Sequence, residues 1–328
     1  MPPMSLSSSV ALCTFNGTRY LPALWESLLA QSRLPDEIVI RDDVSTDGTP
    51  ELLKKLRGAA ESRGIRTRIF INEKNLGYVS NFAAALQVAS GDVVFLCDQD
   101  DLWQPNKLAA QLAEFERRPG LLLLCSDARR VDASGAVLQR SLFDVLRVTK
   151  DELNRIHHNQ GFQVLLRRSL TTGATVALRR ALIEDALPFP AGWIHDEWLA
   201  IMAAARGGFD CSESALIDYR QHGGNQIGMP ERSLRDKWRD MLNPRAATID
   251  ALVARGEVLL ERLQRMDLPK LEYRDLAAAK LEHLRVRQSV GGMAWSRAGK
   301  VWAETRNGRY RVYSSGWRSA LRDLVRRR

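Results

Sequence analysis

Through its first two hundred residues the chain alternates short apolar runs, often β-branched, with longer stretches of helical periodicity. That alternation constrains the fold more than any other feature, because it calls for βαβ units laid around a mainly parallel sheet. The pattern predicts strands at Val10–Cys13, Glu37–Arg41, Arg68–Ile71, Asp92–Cys97 and Leu121–Cys125. Between them it predicts helices at Tyr20–Gln31, Thr49–Arg63, Tyr78–Ala89 and Pro105–Arg117, two of them with proline in the first turn. Val131–Leu138 carries Ala-Ser-Gly, which suits a hairpin turn. The order of elements is that of a nucleotide-binding α/β sheet.

After Arg140 the pattern loosens. Helices are expected at Ala181–Leu187 and from His195 to Ala205, with Pro188 and Pro190 as breakers between them, and a short strand at Ala215–Tyr219. Beyond Met229 the chain reads as helices separated by Asn243-Pro244, Leu268-Pro269 and Gly291-Gly292. The expected division is therefore residues 1–228 as an α/β domain and 229–328 as a helical C-terminal region.

Charge follows the same division. Residues 1–228 hold 25 Lys/Arg against 27 Asp/Glu, whereas residues 229–328 hold 23 against 12. All the basicity lies in the C-terminal region, which points to an anionic partner there, a membrane surface or nucleic acid. Trp317, Leu321, Leu324 and Val325 recur at helical spacing among Arg318, Arg322 and Arg326 to Arg328, a basic amphipathic segment. Apolar runs of five residues, such as Leu121 to Cys125, are far short of the ~20 that a spanning helix needs. The first residues show neither a basic nor an apolar leader region, so a cytoplasmic protein is expected, peripheral at most on the inner face of the membrane. Cys13, Cys97, Cys125 and Cys211 form no CxxC pair and read as small buried hydrophobes of a reducing compartment.

The chemistry-bearing residues gather just after predicted strands, where ligands of open α/β sheets bind. Cys13-Thr14-Phe15-Asn16-Gly17 follows the first strand and Asp42-Asp43-Val44-Ser45-Thr46-Asp47-Gly48-Thr49 the second. Asp47 or Thr49 has the makings of a helix cap, whereas Asp42 and Asp43 suit hydrogen bonds from a base. Cys97-Asp98-Gln99-Asp100-Asp101 follows one of the most apolar strands. Carboxylates placed there need a counter-charge, and a divalent cation shared with substrate phosphates supplies one. Trp193-Ile194-His195-Asp196-Glu197-Trp198 opens a helix. Asp196 is the candidate general base for a hydroxyl, with Glu197 as rival, and Trp193 and Trp198 offer faces to a sugar ring or belong to the core. Tyr219-Arg220-Gln221-His222-Gly223-Gly224-Asn225 reads as a loop over phosphates, with His222 as ligand and Arg220 as charge partner. His157-His158 has no matching acid nearby in sequence and reads as surface.

Taken together, Thr14-Phe15-Asn16-Gly17, Asp42 to Thr49, Asn75-Leu76-Gly77 and Asp98-Gln99-Asp100-Asp101 resemble the nucleotide-sugar-binding half of inverting family 2 glycosyltransferases. The likeness spans residues 10 to about 225, and the Tyr219 to His222 stretch is similar to bacterial rhamnosyltransferase-like members. The resemblance implies a GT-A type α/β sandwich with an appended C-terminal helical region. It implies Asp42 or Asp43 at the base, Asp98 at the ribose or base, Thr14, Asn16, Asn75, Gly77 and Arg220 near the nucleotide, and Asp196 as catalytic base. Asp100, with His222, would hold Mg²⁺ or Mn²⁺. The family usually carries Asp-Asp-Gly-Ser where this chain has Asp42-Asp43-Val44-Ser45, and commonly Glu-Asp where it has His195-Asp196. The implied partners are a dTDP-, UDP- or GDP-linked sugar, a deoxysugar such as rhamnose first, and a lipid-linked surface glycan such as O-antigen. A nucleotidyltransferase is the nearest alternative, although no glycine-rich Lys/Arg loop follows the first strand. A nucleic-acid-binding protein is the other, and it leaves the strand-end carboxylates unexplained, so no nucleic-acid partner is expected.

Overall fold

The computed structural model describes residues 5–222, 246–290 and 294–325. They fall into two compact units: residues 5–161, 170–189 and 194–222 in the first, and 162–169, 190–193, 246–290 and 294–325 in the second.

The first unit is built on one eight-stranded sheet. β1 (Ser8–Thr14), β2 (Glu37–Asp42), β3 (Arg66–Ile71) and β4 (Val93–Asp98) are joined by α1 (Leu21–Leu29), α2 (Thr49–Glu61) and α3 (Tyr78–Val88). The four strands pair in parallel in the order β3-β2-β1-β4, as the alternation predicted. The apolar centres of β1, β2 and β4 are buried on both faces, as expected of parallel strands covered by crossover helices, while β3 at the sheet edge is only partly buried.

The other half of the sheet is mixed rather than parallel. β5 (Leu102–Trp103) and α4 (Lys107–Arg117) lead to β6 (Leu123–Val131), and β7 (Ala177–Arg179) inserts antiparallel between β4 and β6. α8 (Ala181–Ala186) and α9 (His195–Ala205) follow, and β8 (Phe209–Arg220) returns parallel to β6 while pairing antiparallel with β5. Both β6 and β8 run well past their predicted ends, because Asp127, Arg129, Arg130 and Ser212-Glu213-Ser214 interrupt the apolar pattern where the strands are bulged or exposed. The Ala133-Ser134-Gly135 turn is present and closes with the Asp132 N–H on the Ala136 carbonyl. Two further helices of this unit, α5 (Leu142–Leu146) and α6 (Lys150–Arg155), lie in the stretch after Arg140, whereas α7 (Gly161–Arg167) falls, but for Gly161, in the second unit. α5 and α6 each start with a reciprocal capping box, Ser141 with Asp144 and Thr149 with Glu152.

All four cysteines are buried and free, with Cys125 and Cys211 paired in register across β6 and β8. His157 is not a bare surface residue: its Nδ1 lies 2.7 Å from the Asp210 carboxylate, an acid brought from 53 residues away.

In the second unit, α10 (Ala246–Arg265) packs on α11 (Glu272–Gln288) through Ile249, Val253, Leu281 and Leu284. Leu268-Pro269 does separate these two helices, whereas Asn243-Pro244 and Gly291-Gly292 lie outside the described residues. α12 (Ala294–Arg306), α13 (Arg309–Tyr313) and α14 (Trp317–Val325) gather on Val290, Val301, Tyr310 and Ala320. This small core is threaded by a buried polar network. Asp323 accepts from Arg287 Nε at 2.7 Å and from the Tyr310 hydroxyl at 2.7 Å, and His283 bridges Glu304 and Ser314. Removing one member of a buried ion pair strands the other. Asp323→Ala is therefore expected to cost about 3–5 kcal/mol in urea unfolding, and a loss below ~0.5 kcal/mol would show that the pair contributes nothing net.

Candidate active site

The register of the parallel strands lines up the residues at their carboxyl ends. Thr14 pairs with Asp42, Cys13 with Asp98, and Asp42 with Ile71, so β1, β2, β3 and β4 all stop along one edge. The loops that leave this edge are stitched together by side chains rather than by a ladder.

Asp42 and Asp43 do most of the stitching. Asp42 is fully buried and accepts from Thr14 Oγ1 at 2.7 Å and from both the amide and the hydroxyl of Ser45. Asp43 accepts from Asn72 Nδ2 and from the backbone amides of Leu76 and Gly77, all within 2.9 Å. Asn75 in turn donates to the Asp43 carbonyl. Gly77 sits at φ +76, ψ 155, a region open only to glycine, which lets its amide reach Asp43. Five sequence-predicted residues, Thr14, Asp42, Asp43, Asn75 and Gly77, thus hold one another. Val44 lies at φ +66, which for a β-branched residue is a strained conformation. That is the position where the related pattern carries glycine.

The β1 loop is tied to both neighbours. The Phe15 amide donates to Gln99 Oε1 and Gln99 Nε2 donates back to the Phe15 carbonyl. A Cβ on Gly17 would fall 2.3 Å from that Oε1, so glycine is needed for the clamp. Asn16, itself at φ +51, accepts from the Thr46 amide, and its own amide donates to Ser45 Oγ.

The remaining predicted residues come together around Asp98 to Asp101. Asp100 Oδ2 lies 2.8 Å from His222 Nε2, each side chain about 15% exposed. The His222 ring stacks on Tyr20 at 4.8 Å, and the Arg220 guanidinium covers the same tyrosine. Arg220 is used as a clamp on the acidic loop. Its amide donates to Asp101 Oδ1 and its Nε to the Asp100 carbonyl, while Nη1 reaches the Asp132 and Ala133 carbonyls. Gly223, Gly224 and Asn225 of the predicted phosphate loop lie outside the described residues.

Electrostatics tie these acids to Asp196. Burial first, then the Asp100 and Asp196 carboxylates, push the Asp98 carboxyl up to about 7. Burial, then the Asp100 and Asp98 carboxylates, hold Asp101 well above the usual carboxylate range. Its Oδ2 is buried without a hydrogen-bond partner among the described residues. Asp196 stands in the first turn of α9, where the helix N-terminus favours a carboxylate. Burial, then Asp196 and Glu197, raise the neighbouring Tyr78 hydroxyl.

Three residues packed around these acids were given no role by the sequence. Tyr20 is one. His195 is buried against Phe82, Tyr78 and Phe189, and burial lowers its ring to about 3, so it is neutral. Lys107 is fully buried, its ammonium pushed down to about 7 by burial and steadied in part by Asp101. Trp198 is core, its indole donating to the Ala186 carbonyl, while Trp193 carries Arg255 over its ring at 4.1 Å.

The donor set suits a cation that binds substrate phosphate. Asp100 and His222 offer one carboxylate and one imidazole at a single point, the sparse protein contribution that a hard divalent ion shared with a diphosphate takes. Among the described residues no three His, Cys, Asp or Glu close into a metal cage.

The family model for "Glycosyl transferase family 2" matches residues 9–184, more than half of the chain. The chain belongs to glycosyl transferase family 2. This glycosyltransferase is 29% identical over 193 residues to the abequosyltransferase RfbV of Salmonella typhimurium, a match covering 57% of the chain and 56% of that relative. Among solved structures it resembles S. aureus TarS 1-349 in complex with UDP, with TM-score 0.53 and 18% identity over 86% of this chain and 71% of that one. It also resembles the mannosyltransferase PcManGT of Pyrobaculum calidifontis in complex with GDP-Man and Mn²⁺, with TM-score 0.54 and 18% identity over 99% of this chain and 87% of that one. The glycosyltransferase therefore has the GT-A type fold with C-terminal helices.

Asp47 makes the stitching testable by pH. It accepts from the amides and hydroxyls of Thr18 and Thr49, which together hold its carboxyl down at about 2 against the cost of its partial burial. Its contribution to stability is present above the unfolded pKa near 4 and is lost as pH falls toward 2. Asp47→Asn should therefore melt below the wild type at pH 6, and the difference should close by pH 2; a gap independent of pH would contradict this origin.

Proposed function

We propose that this glycosyltransferase is a metal-dependent, inverting enzyme that moves a deoxysugar, rhamnose being the first to test, from a nucleoside diphosphate to a hydroxyl of a lipid-linked surface glycan. The observation that carries the reading is the shared field around Asp98, which Asp100 and Asp196 both raise. With the 2.8 Å approach of His222 to Asp100 and the position of Asp196 in the first turn of α9, it supports a reading in which a diphosphate-side carboxylate and a base serve one site. The UDP and GDP-Man complexes of the structural relatives support a nucleoside diphosphate donor, and the Mn²⁺ of one of them supports a divalent ion. The abequosyltransferase relative, whose sugar is a dideoxyhexose, supports a deoxysugar donor.

In the proposed reaction Asp196 takes the proton of the acceptor hydroxyl as its oxygen attacks the anomeric carbon from the face opposite the diphosphate. The new C–O bond forms as the bond to the phosphate oxygen breaks, and the nucleoside diphosphate leaves with the electron pair. A divalent ion, Mg²⁺ or Mn²⁺, held by Asp100 and His222 would neutralise charge on the leaving group when bound. Arg220 and Tyr20 fix the direction in which His222 and Asp100 point. Thr14, Asn16, Asp42, Asp43, Asn75 and Gly77 shape the loops that receive the nucleotide, with Asp98 nearest the ribose or base.

Isothermal titration with UDP, dTDP and GDP, each with and without Mn²⁺, tests the donor half. Binding of one nucleotide that requires Mn²⁺ and that Asp100→Ala abolishes is expected, and metal-independent binding would contradict the ion's placement. For the acceptor half, Asp196→Asn should lower kcat by about 10²–10⁴-fold while nucleotide affinity stays within about twofold. Equal loss of both would remove Asp196 as the base.

A further inference from the structure

The last two long helices of the second unit are amphipathic in the wrong sense for a soluble surface. α14 buries Ser319, Ala320 and Asp323 and leaves Trp317, Leu321, Leu324 and Val325 exposed, Trp317 by 71%. α12 does the same: Val301 and Glu304 are buried, while Trp295 and Trp302, seven residues apart and so on one face, are 71% and 63% exposed. Water normally drives such side chains inward, and an apolar face of this kind on a folded chain marks a contact surface.

The charges on this segment are equally one-sided. Between residues 294 and 325 there are seven basic residues and two acids, Glu304 and Asp323. Both acids are buried and satisfied within the unit, by His283 and Arg309 and by Arg287 and Tyr310. What the segment shows outward is therefore aromatic, aliphatic and cationic. Arg306 and Arg318 lie over the exposed faces of Trp302 and Trp317, so that charge and ring sit at the same level.

We infer that the outer faces of α12 and α14 form a docking surface for an anionic lipid bilayer, on which the helices lie without crossing. Among the described residues no helix is long and apolar enough to span a membrane. A bilayer surface supplies both halves of what these faces lack: hydrocarbon for Leu321, Leu324 and Val325, an interfacial layer for the tryptophans, and phosphate for the arginines. A second copy of the same face would bring arginine against arginine. A nucleic acid would answer the charge and leave the aliphatic side chains in water. The surface belongs to the second unit alone and does not rest on the proposed donor, metal or acceptor.

The test is cosedimentation of the full chain with vesicles of phosphatidylcholine, with and without phosphatidylglycerol, in the absence of nucleotide and acceptor. Binding at least roughly tenfold stronger to the anionic vesicles, weakening with salt, is expected, together with a blue shift of tryptophan emission. Trp295→Ser/Trp302→Ser/Trp317→Ser and, separately, Arg306→Glu/Arg318→Glu should each reduce it by roughly tenfold or more with unchanged melting temperature. If the triple variant fails to fold, Leu321→Ser/Leu324→Ser serves in its place, because both side chains already face water. Equal binding to neutral and anionic vesicles, or binding indifferent to the tryptophan and leucine changes, would overturn the inference. So would a dimer in sedimentation velocity that the tryptophan changes dissolve, or salt-sensitive binding to RNA without binding to vesicles.

Discussion

Three carboxyl groups within four residues, at the mouth of a buried apolar strand, cannot all be ionised without compensation. Much of the first unit can be understood as the means by which Asp98, Asp100 and Asp101 are tolerated. Asp101 takes the amide of Arg220 and is driven toward its neutral form. Asp100 meets His222, and the Arg220 guanidinium is turned onto the loop's own carbonyls. Lys107, buried beneath, adds a group whose charge is itself under pressure from burial. Compensation comes almost wholly from β8 and the residues after it, more than a hundred positions away in sequence. In the proposed reading, a nucleoside diphosphate with a cation would sit where that compensation is incomplete.

The parallel half of the sheet was legible because its strands are short apolar runs, three of them buried on both faces, each bounded by a turn and followed by a helix or loop. The mixed half was not. β7 is three residues long and β5 two, below the length at which any period can be read. β6 and β8 carry charges in mid-strand because their bulged and exposed portions do not need apolar residues. The extra helices after Arg140 are short, and their capping boxes at Ser141 and Thr149 were there to be noticed.

The site was legible to a different depth at each residue. That Asp42, Asp43 and Asp98 to Asp101 stand at strand ends follows from local pattern. That Asp42 and Asp43 spend their oxygens on Thr14, Ser45, Asn72 and the Leu76 and Gly77 amides does not, since those donors lie on other loops. The pairing of His222 with Asp100, the stack on Tyr20, and the caging of His195 by Phe82 are products of topology. They bring residues together that no spacing rule connects. Val44 is the reverse case: its left-handed backbone explains why the related pattern prefers glycine, a preference visible in sequence whose cause is visible only in the fold.

Because β8 supplies both the clamp and the imidazole, the order of synthesis matters. By the time β4 and the acidic loop have left the ribosome, every acid of the cluster is present and the residues that steady them are not. A nascent chain ending before residue 209 carries the acids without the amide of Arg220 and the imidazole of His222 that meet them in the folded unit. The late arrival of Arg220 and His222 completes the cluster, so the proposed donor site is assembled only when the sheet acquires its last long strand.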